Sequence, residues 1–168
     1  MTRRVAINDA NILIDLVKTG LLETSLQLPI VYHITNIVFE ELFDSQKNHF
    51  KTAIENEQYF IIDISLEEMR EIVDLVPLDP NLSEQDWSAY YFAKKWSCML
   101  LTGDNRLRNR ASNSGIEVHG ILWILDELVI NQKITESMAH ERLEQLMKIN
   151  RRLPQQECRE RLARWKPK

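Results

Sequence analysis

Acidic residues follow two of the short apolar runs in this chain, a placement that suits them to bind a ligand. Asp9 comes shortly after the run at residues 5–7, and Asp104 comes shortly after the run at residues 99–101. Runs of this kind are typical of buried strands in a parallel sheet. Because ligands of open α/β sheets bind at the carboxyl ends of the strands, both acids are candidates for a functional site.

A third acid, Asp86, opens the helix that precedes the second of these strands. It lies three residues after Ser83, whose side chain is typical of a helix N-cap, and the helix dipole stabilises a carboxylate in the first turn. Capping alone would therefore explain Asp86. Asp104 has the same alternative role, as the N-cap of a helix that we predict over residues 105–111.

Two successive acids, Glu40 and Glu41, lie on a helix that we predict to begin after Thr35. Successive residues of a helix point about 100° apart, so both side chains cannot face one cleft squarely. One of the two is predicted to lie on the surface, and composition does not decide which.

Carboxylates that meet at one edge of a sheet repel each other unless a cation neutralises them. Oxygen ligands alone favour magnesium or manganese over zinc. Such ions activate water and stabilise charge on the attacking and leaving oxygens of a phosphodiester. The acids therefore predict metal-dependent phosphodiester hydrolysis without a covalent nucleophile.

Strand and helix patterns alternate along most of the chain. We predict strands near residues 5–7, 30–34, 59–64, 99–101 and 116–119, and helices near 66–76 and 121–129, whereas residues 45–56 could form a helix or a loop. Alternation of this kind predicts a mostly parallel sheet with helices on both faces, which is a three-layer α/β/α sandwich.

Several segments in this order resemble the PIN-domain ribonucleases, and more closely the VapC-like toxins of bacterial toxin–antitoxin systems. They read INDANILIDL, EEL, LSEQDWSAYYFAKK, LLTGDNRLRNRA, IEVHG and ILWILDELV, and together they span roughly residues 5–129. The resemblance implies a five-stranded sheet within a nuclease domain at residues 1–130. It leaves residues 131–168 as a C-terminal helical extension.

The resemblance also implies the site residues. The catalytic, metal-binding acids would be Asp9, Glu41, Asp86 and Asp104. Glu41 rather than Glu40 is selected because it stands six residues after Thr35 and directly before a leucine. The supporting polar residues would be Asn11, Thr102 and Asn105, and Asn105 occupies a position where some relatives carry an acid or a basic residue.

Arginines follow Asp104 at alternate positions, at Arg106, Arg108 and Arg110. Some should face solvent, but Arg106 and Arg108 are predicted to contact an RNA backbone, since their helix begins beside the acids. The aromatic residues of the preceding helix, such as Trp87, are predicted to be core residues rather than a platform for bases.

The composition is that of an ordinary globular protein, with 168 residues, 44% hydrophobic and 27% charged. There is no apolar run of membrane-spanning length and no evident leader, so we expect no membrane and a cytoplasmic location. Cys98 and Cys158 lack metal-ligand spacing and are predicted to be free thiols in a reducing compartment. The four histidines are predicted to be structural.

The end of the chain differs in charge from the rest. Residues 142–168 contain nine basic and three acidic residues, although the whole chain has a net charge of −4. This segment also has an apolar stripe at helical spacing. It could pack on a partner or on the nuclease domain, and we favour the domain, where its arginines would extend a positive surface beside the acids.

Two functions of different classes remain open from the sequence. The first is a ribonuclease dependent on Mg²⁺ or Mn²⁺, acting on single-stranded or structured RNA. By resemblance it would be a toxin, a homodimer and the target of a cognate antitoxin protein. The alternative is a catalytically weak PIN-like module that binds or scaffolds, with the acids acting as helix caps.

Overall fold

The computed structural model describes residues 3–166, in which five strands form one sheet. The strands are β1 Arg4–Asn8, β2 Ile30–Thr35, β3 Tyr59–Ile62, β4 Met99–Leu101 and β5 Val118–His119. Their order is β3-β2-β1-β4-β5, and every neighbouring pair is parallel. The predicted five-stranded sheet is confirmed, and in the described chain it is wholly rather than mostly parallel.

Ten α-helices lie within the described residues. They are α1 Ala10–Lys18, α2 Leu22–Ser25, α3 Asn36–Glu40, α4 Asp44–Glu55, α5 Leu66–Leu75, α6 Glu84–Lys95, α7 Asn105–Asn113, α8 Ile121–Ile130, α9 Glu136–Ile149 and α10 Gln155–Arg164. The segment at residues 45–56, for which the sequence left two choices, lies mostly in α4. None of these helices is both long and apolar enough to cross a membrane.

The helices cover both faces of the sheet because successive strand residues point to opposite faces. Ala6 of β1 belongs to an apolar core with α1, α4 and α8, whereas its neighbour Ile7 belongs to a second core with α5, α6 and α7. The predicted three-layer α/β/α arrangement is therefore confirmed. The aromatic residue Trp87 is fully buried in the second core, as predicted.

The strand order creates a crevice beside β1. The chain runs from β1 to β2 and β3 on one side of the sheet, and then crosses over to β4 and β5 on the other. In open α/β sheets, ligands bind at this reversal of strand order, outside the carboxyl ends of the strands. Here β1 and β4 end side by side, and the backbone N–H of Asp9 donates a hydrogen bond to the carbonyl of Leu101 at 2.9 Å.

The two C-terminal helices pack on the same core as α1 and α8. Leu143 of α9 and Trp165, which follows α10, are buried in this core. A polar contact adds to the packing, because Asn150 Nδ2 donates a hydrogen bond to the carboxylate of Asp15 in α1 at 2.7 Å. Of the two options for the extension, packing on the rest of the chain is thus confirmed.

Candidate functional site

The buried carboxylate of Asp9 lies at the centre of the candidate site. Asp9 stands at the N-cap position of α1, but its side chain does not cap that helix. Its Oδ2 instead accepts hydrogen bonds from Thr102 Oγ1 at 2.7 Å and from Asn11 Nδ2 at 2.6 Å. Only 7% of the residue is exposed. Asp9 is therefore held in one orientation, against the end of β4.

The same two neighbours hold the loop that follows β4. Thr102 Oγ1 accepts a hydrogen bond from the backbone N–H of Asp104 at 3.0 Å, and Asn11 Oδ1 accepts one from Gly103 N–H at 2.8 Å. A Cβ at Gly103 would lie 3.1 Å from Asn11 Oδ1, so glycine permits this close approach. Asn11 and Thr102 consequently couple the ends of β1 and β4.

Two of the predicted acids cap helices. The N–H and the hydroxyl of Ser83 donate hydrogen bonds to Asp86 Oδ2 at 2.8 and 2.9 Å, which completes a capping box at the start of α6. Asp104 Oδ1 accepts a hydrogen bond from the N–H of Leu107 at 2.8 Å, at the start of α7. The capping roles that the sequence allowed for these acids are present in the structure.

Asp9, Glu41 and Asp86 lie close enough to influence one another electrostatically. Burial raises the pKa of Asp9 and the negative charges of Asp86 and Glu41 add to the rise, whereas the hydrogen bond from Thr102 opposes it, so that the pKa is about 6. Burial also raises the pKa of Glu41, again with a contribution from the charge of Asp86. These three acids, of which Asp9 follows β1, Glu41 follows α3 and Asp86 lies in the first turn of α6, therefore converge on one region.

The two candidates on α3 have different surroundings. Glu40 is the last residue of the helix, its side chain is 73% exposed, and its carboxylate lies 2.6 Å from Lys47 Nζ. Glu41 follows as the C-cap, and its charge acts on the pKa of Asp9. The structure thus brings Glu41, and not Glu40, near Asp9 and Asp86.

The chemistry of these residues fits a hard divalent cation. Within residues 3–166, none of the acids Asp9, Glu41, Asp86 and Asp104 forms an ion pair with a lysine, arginine or histidine. A buried carboxylate that other carboxylates repel is the kind of group that such an ion neutralises.

The acids of the described chain are not assembled into a complete metal centre, and two of them cap helices. No three histidine, cysteine, aspartate or glutamate side chains of the described chain are grouped closely enough to hold an ion. Asp86 and Asp104 direct carboxylate oxygens at the starts of α6 and α7. Each cap uses one carboxylate oxygen, Oδ2 of Asp86 and Oδ1 of Asp104, so joint ligation by three of the acids would require the side chains to move closer together.

The two arginines that are predicted to contact RNA differ in their partners. The Nε of Arg106 lies 2.9 and 2.8 Å from the two carboxylate oxygens of Asp79, so its charge is already paired. Arg108 instead donates a hydrogen bond to the carbonyl of Thr102 at 2.9 Å and lies beside the strand ends. Asn105, the first residue of α7, is exposed.

Ser88 is a residue near the site that the sequence did not single out. It is fully buried, and its Oγ lies 2.8 Å from Oγ1 of Thr35, the N-cap of α3. This hydrogen bond joins the element that carries Glu41 to the helix that carries Asp86. A serine among the buried residues of α6 is the signal that could have identified it.

Comparison with known proteins adds one positive result. A family model described as a PIN domain matches residues 5–167. The match includes all four acids and also the two C-terminal helices. No curated protein matches the chain.

Proposed function

This chain belongs to the PIN-domain family, whose members are generally nucleases, and we propose that it is an endoribonuclease dependent on Mg²⁺ or Mn²⁺. The observation that carries the proposal is the environment of the Asp9 carboxylate. Its carboxylate is buried at the reversal of strand order, other acids repel it, and no cationic side chain of the described residues pairs with it. Such an arrangement lowers the stability of the chain and is suited to holding a cation.

Asp9, Glu41, Asp86 and Asp104 would hold the ion. The chemistry that a bound ion supplies is the activation of water and the stabilisation of charge on the phosphodiester oxygens. Thr102 and Asn11 orient Asp9 through their hydrogen bonds to Oδ2, which leaves Oδ1 for a ligand. Hydrogen bonds to a ligand carboxylate fix its geometry and strengthen binding.

The biological setting belongs to the same proposal. Its support is the resemblance to the VapC-like toxins, which suggests a homodimer and a cognate antitoxin protein that holds the enzyme inactive. RNA as the substrate and a cytoplasmic location follow from that setting, and the free thiols of Cys98 and Cys158 agree with a reducing compartment.

A binding or scaffolding module is the second candidate function. The specific observation in its favour is that Asp86 and Asp104 both cap helices, so each has a structural role without any metal. A ligand that binds only the native state raises its stability. Mg²⁺ or Mn²⁺ should therefore raise the melting temperature of the nuclease, and an unchanged melting temperature with both ions would favour the module.

The direct experiment compares the hydrolysis of RNA and DNA with Mg²⁺ or Mn²⁺, for the unaltered chain and for Asp104→Asn. Asparagine caps a helix as well as aspartate does, so the variant should keep its fold and its melting temperature without metal. We expect internal cleavage of RNA but not DNA, and a loss of more than roughly 100-fold in the variant, since removing a metal ligand costs more than disturbing its supporting residues. Full activity of Asp104→Asn would contradict the metal-site proposal.

A further inference from the structure

A cavity lies between the acid-bearing edge of the sheet and the C-terminal extension. Its volume is about 340 Å³, which is within the range of small-molecule sites. Gly103 and Asn105, the two neighbours of Asp104, line one side. Asn150, Arg152 and Pro154 of the extension line another. The cavity therefore begins at the candidate catalytic site and exists only because the extension packs there.

Two arginines give the cavity positive charge. Arg108 donates hydrogen bonds to backbone carbonyls, to Thr102 at 2.9 Å and more weakly to Val118 at 3.5 Å, which do not neutralise its guanidinium. Arg152 is exposed and has no carboxylate within 4 Å among the residues that the structure describes. Both guanidinium groups are available to an anion.

The acids that line the same cavity already have partners. Asp15 accepts a hydrogen bond from Asn150 at 2.7 Å, and burial raises the pKa of its carboxyl. Glu157 lies 3.4 Å from Arg161, which also pairs with Asp126 at 2.5 Å. Arg161 is thus neutralised, which leaves the guanidinium groups of Arg108 and Arg152 and the carboxylate of Asp15, whose partner Asn150 is uncharged.

Gly120 provides the space in which Arg108 lies. It precedes α8, and a Cβ at this position would lie only 2.8 Å from Arg108 Nη2. Any larger residue would therefore move the guanidinium. No acid occupies the first turn of α8, so nothing negative opposes an anion at this wall of the cavity.

The remaining walls are apolar. Leu153 and Pro154 come from the extension, and Ile121 comes from α8. His119 and Trp123 also line the cavity, with their rings stacked at a centroid distance of 4.2 Å. A cavity with two free cations and a wall of apolar and aromatic side chains fits a ligand that joins an anion to a flat aromatic ring, which describes a nucleotide.

We propose that this cavity binds one nucleotide of a single-stranded RNA next to the nucleotide that is cleaved. Arg108 and Arg152 hold its phosphate, and its base lies against Leu153 and Pro154. The inference rests on the proposed ribonuclease function and deepens it, because the C-terminal extension becomes part of the substrate-binding surface.

The test compares Arg152→Gln with the matched control Arg151→Gln. Both residues are exposed arginines of one loop, but only Arg152 lines the cavity. Binding of a short fluorescent RNA of randomised sequence is measured by anisotropy in EDTA, at several salt concentrations. Arg152→Gln should weaken binding about fivefold and reduce the slope of log affinity against log salt by about 0.7, the value for one lost phosphate contact on a single strand. Arg151→Gln should change neither quantity to that extent.

Gly120→Ala provides a second test that keeps every charge. The added methyl group displaces the Arg108 guanidinium, and the backbone at φ −123° accepts alanine. We expect weaker RNA binding with the fold retained by circular dichroism. If Arg152→Gln and Arg151→Gln bind alike and Gly120→Ala binds as the unaltered chain does, the cavity is not an RNA subsite.

Hydrolysis is assayed separately, with Mg²⁺, so that the two proposals can fail independently. RNA binding that depends on Arg152 but not on Arg151, in a chain that cleaves nothing, would support the subsite and overturn the nuclease. If Arg152→Gln and Arg151→Gln both cleave RNA as the unaltered chain does, with the same KM, the subsite proposal alone is overturned. Failure of the unaltered chain to bind any RNA would also overturn the subsite.

Discussion

Acids at the two edges of the sheet have opposite electrostatic environments. At the amino end, Glu117 precedes β5 and contacts both His119 and Arg4, the first residue of β1. The hydrogen bonds from His119 and Arg4 lower its pKa. At the carboxyl end, Asp9 contacts Thr102 and Asn11 but no cationic side chain of the described chain, and its pKa is raised to about 6.

The difference separates an acid that contributes to stability from one that reduces it. A paired carboxylate such as that of Glu117 is favoured in its charged form by the folded state, whereas the charged form of Asp9 is disfavoured there. A carboxylate whose charge destabilises the folded state is expected to have a role in function. In this protein the proposed purpose is to bind a metal ion.

The largest effect, on both stability and activity, is expected from Asp9→Asn. The folded pKa of Asp9, about 6, exceeds the ordinary aspartate value of 3.8, so its contribution to stability is complete below about pH 4 and is lost as the pH rises through about 6. As the pH rises from below about 4 to above about 6, the loss of unfolding free energy amounts to about 3 kcal/mol. Without metal, the variant should therefore be more stable than the unaltered chain at pH 8, and it should be inactive.

Urea unfolding in EDTA, at pH 4 and at pH 8, measures this difference. The unaltered chain should lose more stability between the two pH values than Asp9→Asn does. An equal pH dependence of the two proteins would show that Asp9 is not a destabilising charge, and the contrast between the two edges would not hold.

A smaller effect, on activity alone, is expected at the end of α3. Glu41→Gln should lower RNA cleavage by about 100-fold or more, as expected for a ligand of the proposed ion. Glu40→Gln should leave cleavage unchanged, because its carboxylate is exposed and pairs with Lys47. Matched cleavage assays and melting temperatures distinguish lost chemistry from lost folding, and the reverse pattern would refute the assignment of Glu41.

The smallest effect is expected at the amino edge. Glu117→Gln removes a half-exposed ion pair with Arg4 and the contact with His119. Because solvent screens such pairs, the loss of unfolding free energy should be at most about 1 kcal/mol, and cleavage should fall far less than in Glu41→Gln. A loss of cleavage comparable to that of Glu41→Gln would mean that the two edges are not functionally distinct.

Much of the fold could be predicted from local patterns. The apolar run at residues 99–101 is strand β4 as predicted, and the helix predicted near residues 66–76 is α5, which Ser65 caps. Other predicted bounds were less accurate. The last strand is Val118–His119 rather than 116–119, and the third ends at Ile62 rather than at residue 64. Strand ends depend on hydrogen bonds to neighbouring strands, which a local pattern does not contain.

The candidate site was predictable to a smaller extent. The acids after β1 and β4 were found because a short apolar run followed by an acid is a local signal. The partners of the arginines were not found, since Arg106 pairs with Asp79, which lies 27 positions away. The hydrogen bond of Ser88 with Thr35 was missed for the same reason, as these residues are 53 positions apart.

The sequence by itself determined where the strands and most of the helices lie, where helices are capped, and which acids follow strands, because these properties depend on residues a few positions apart. Only the tertiary structure decided that Asp9 carries a raised pKa, and that Asn150 closes a cavity beside the acids by binding Asp15, a residue 135 positions away. Burial, mutual repulsion and cavity walls arise from groups that meet only when the whole chain folds.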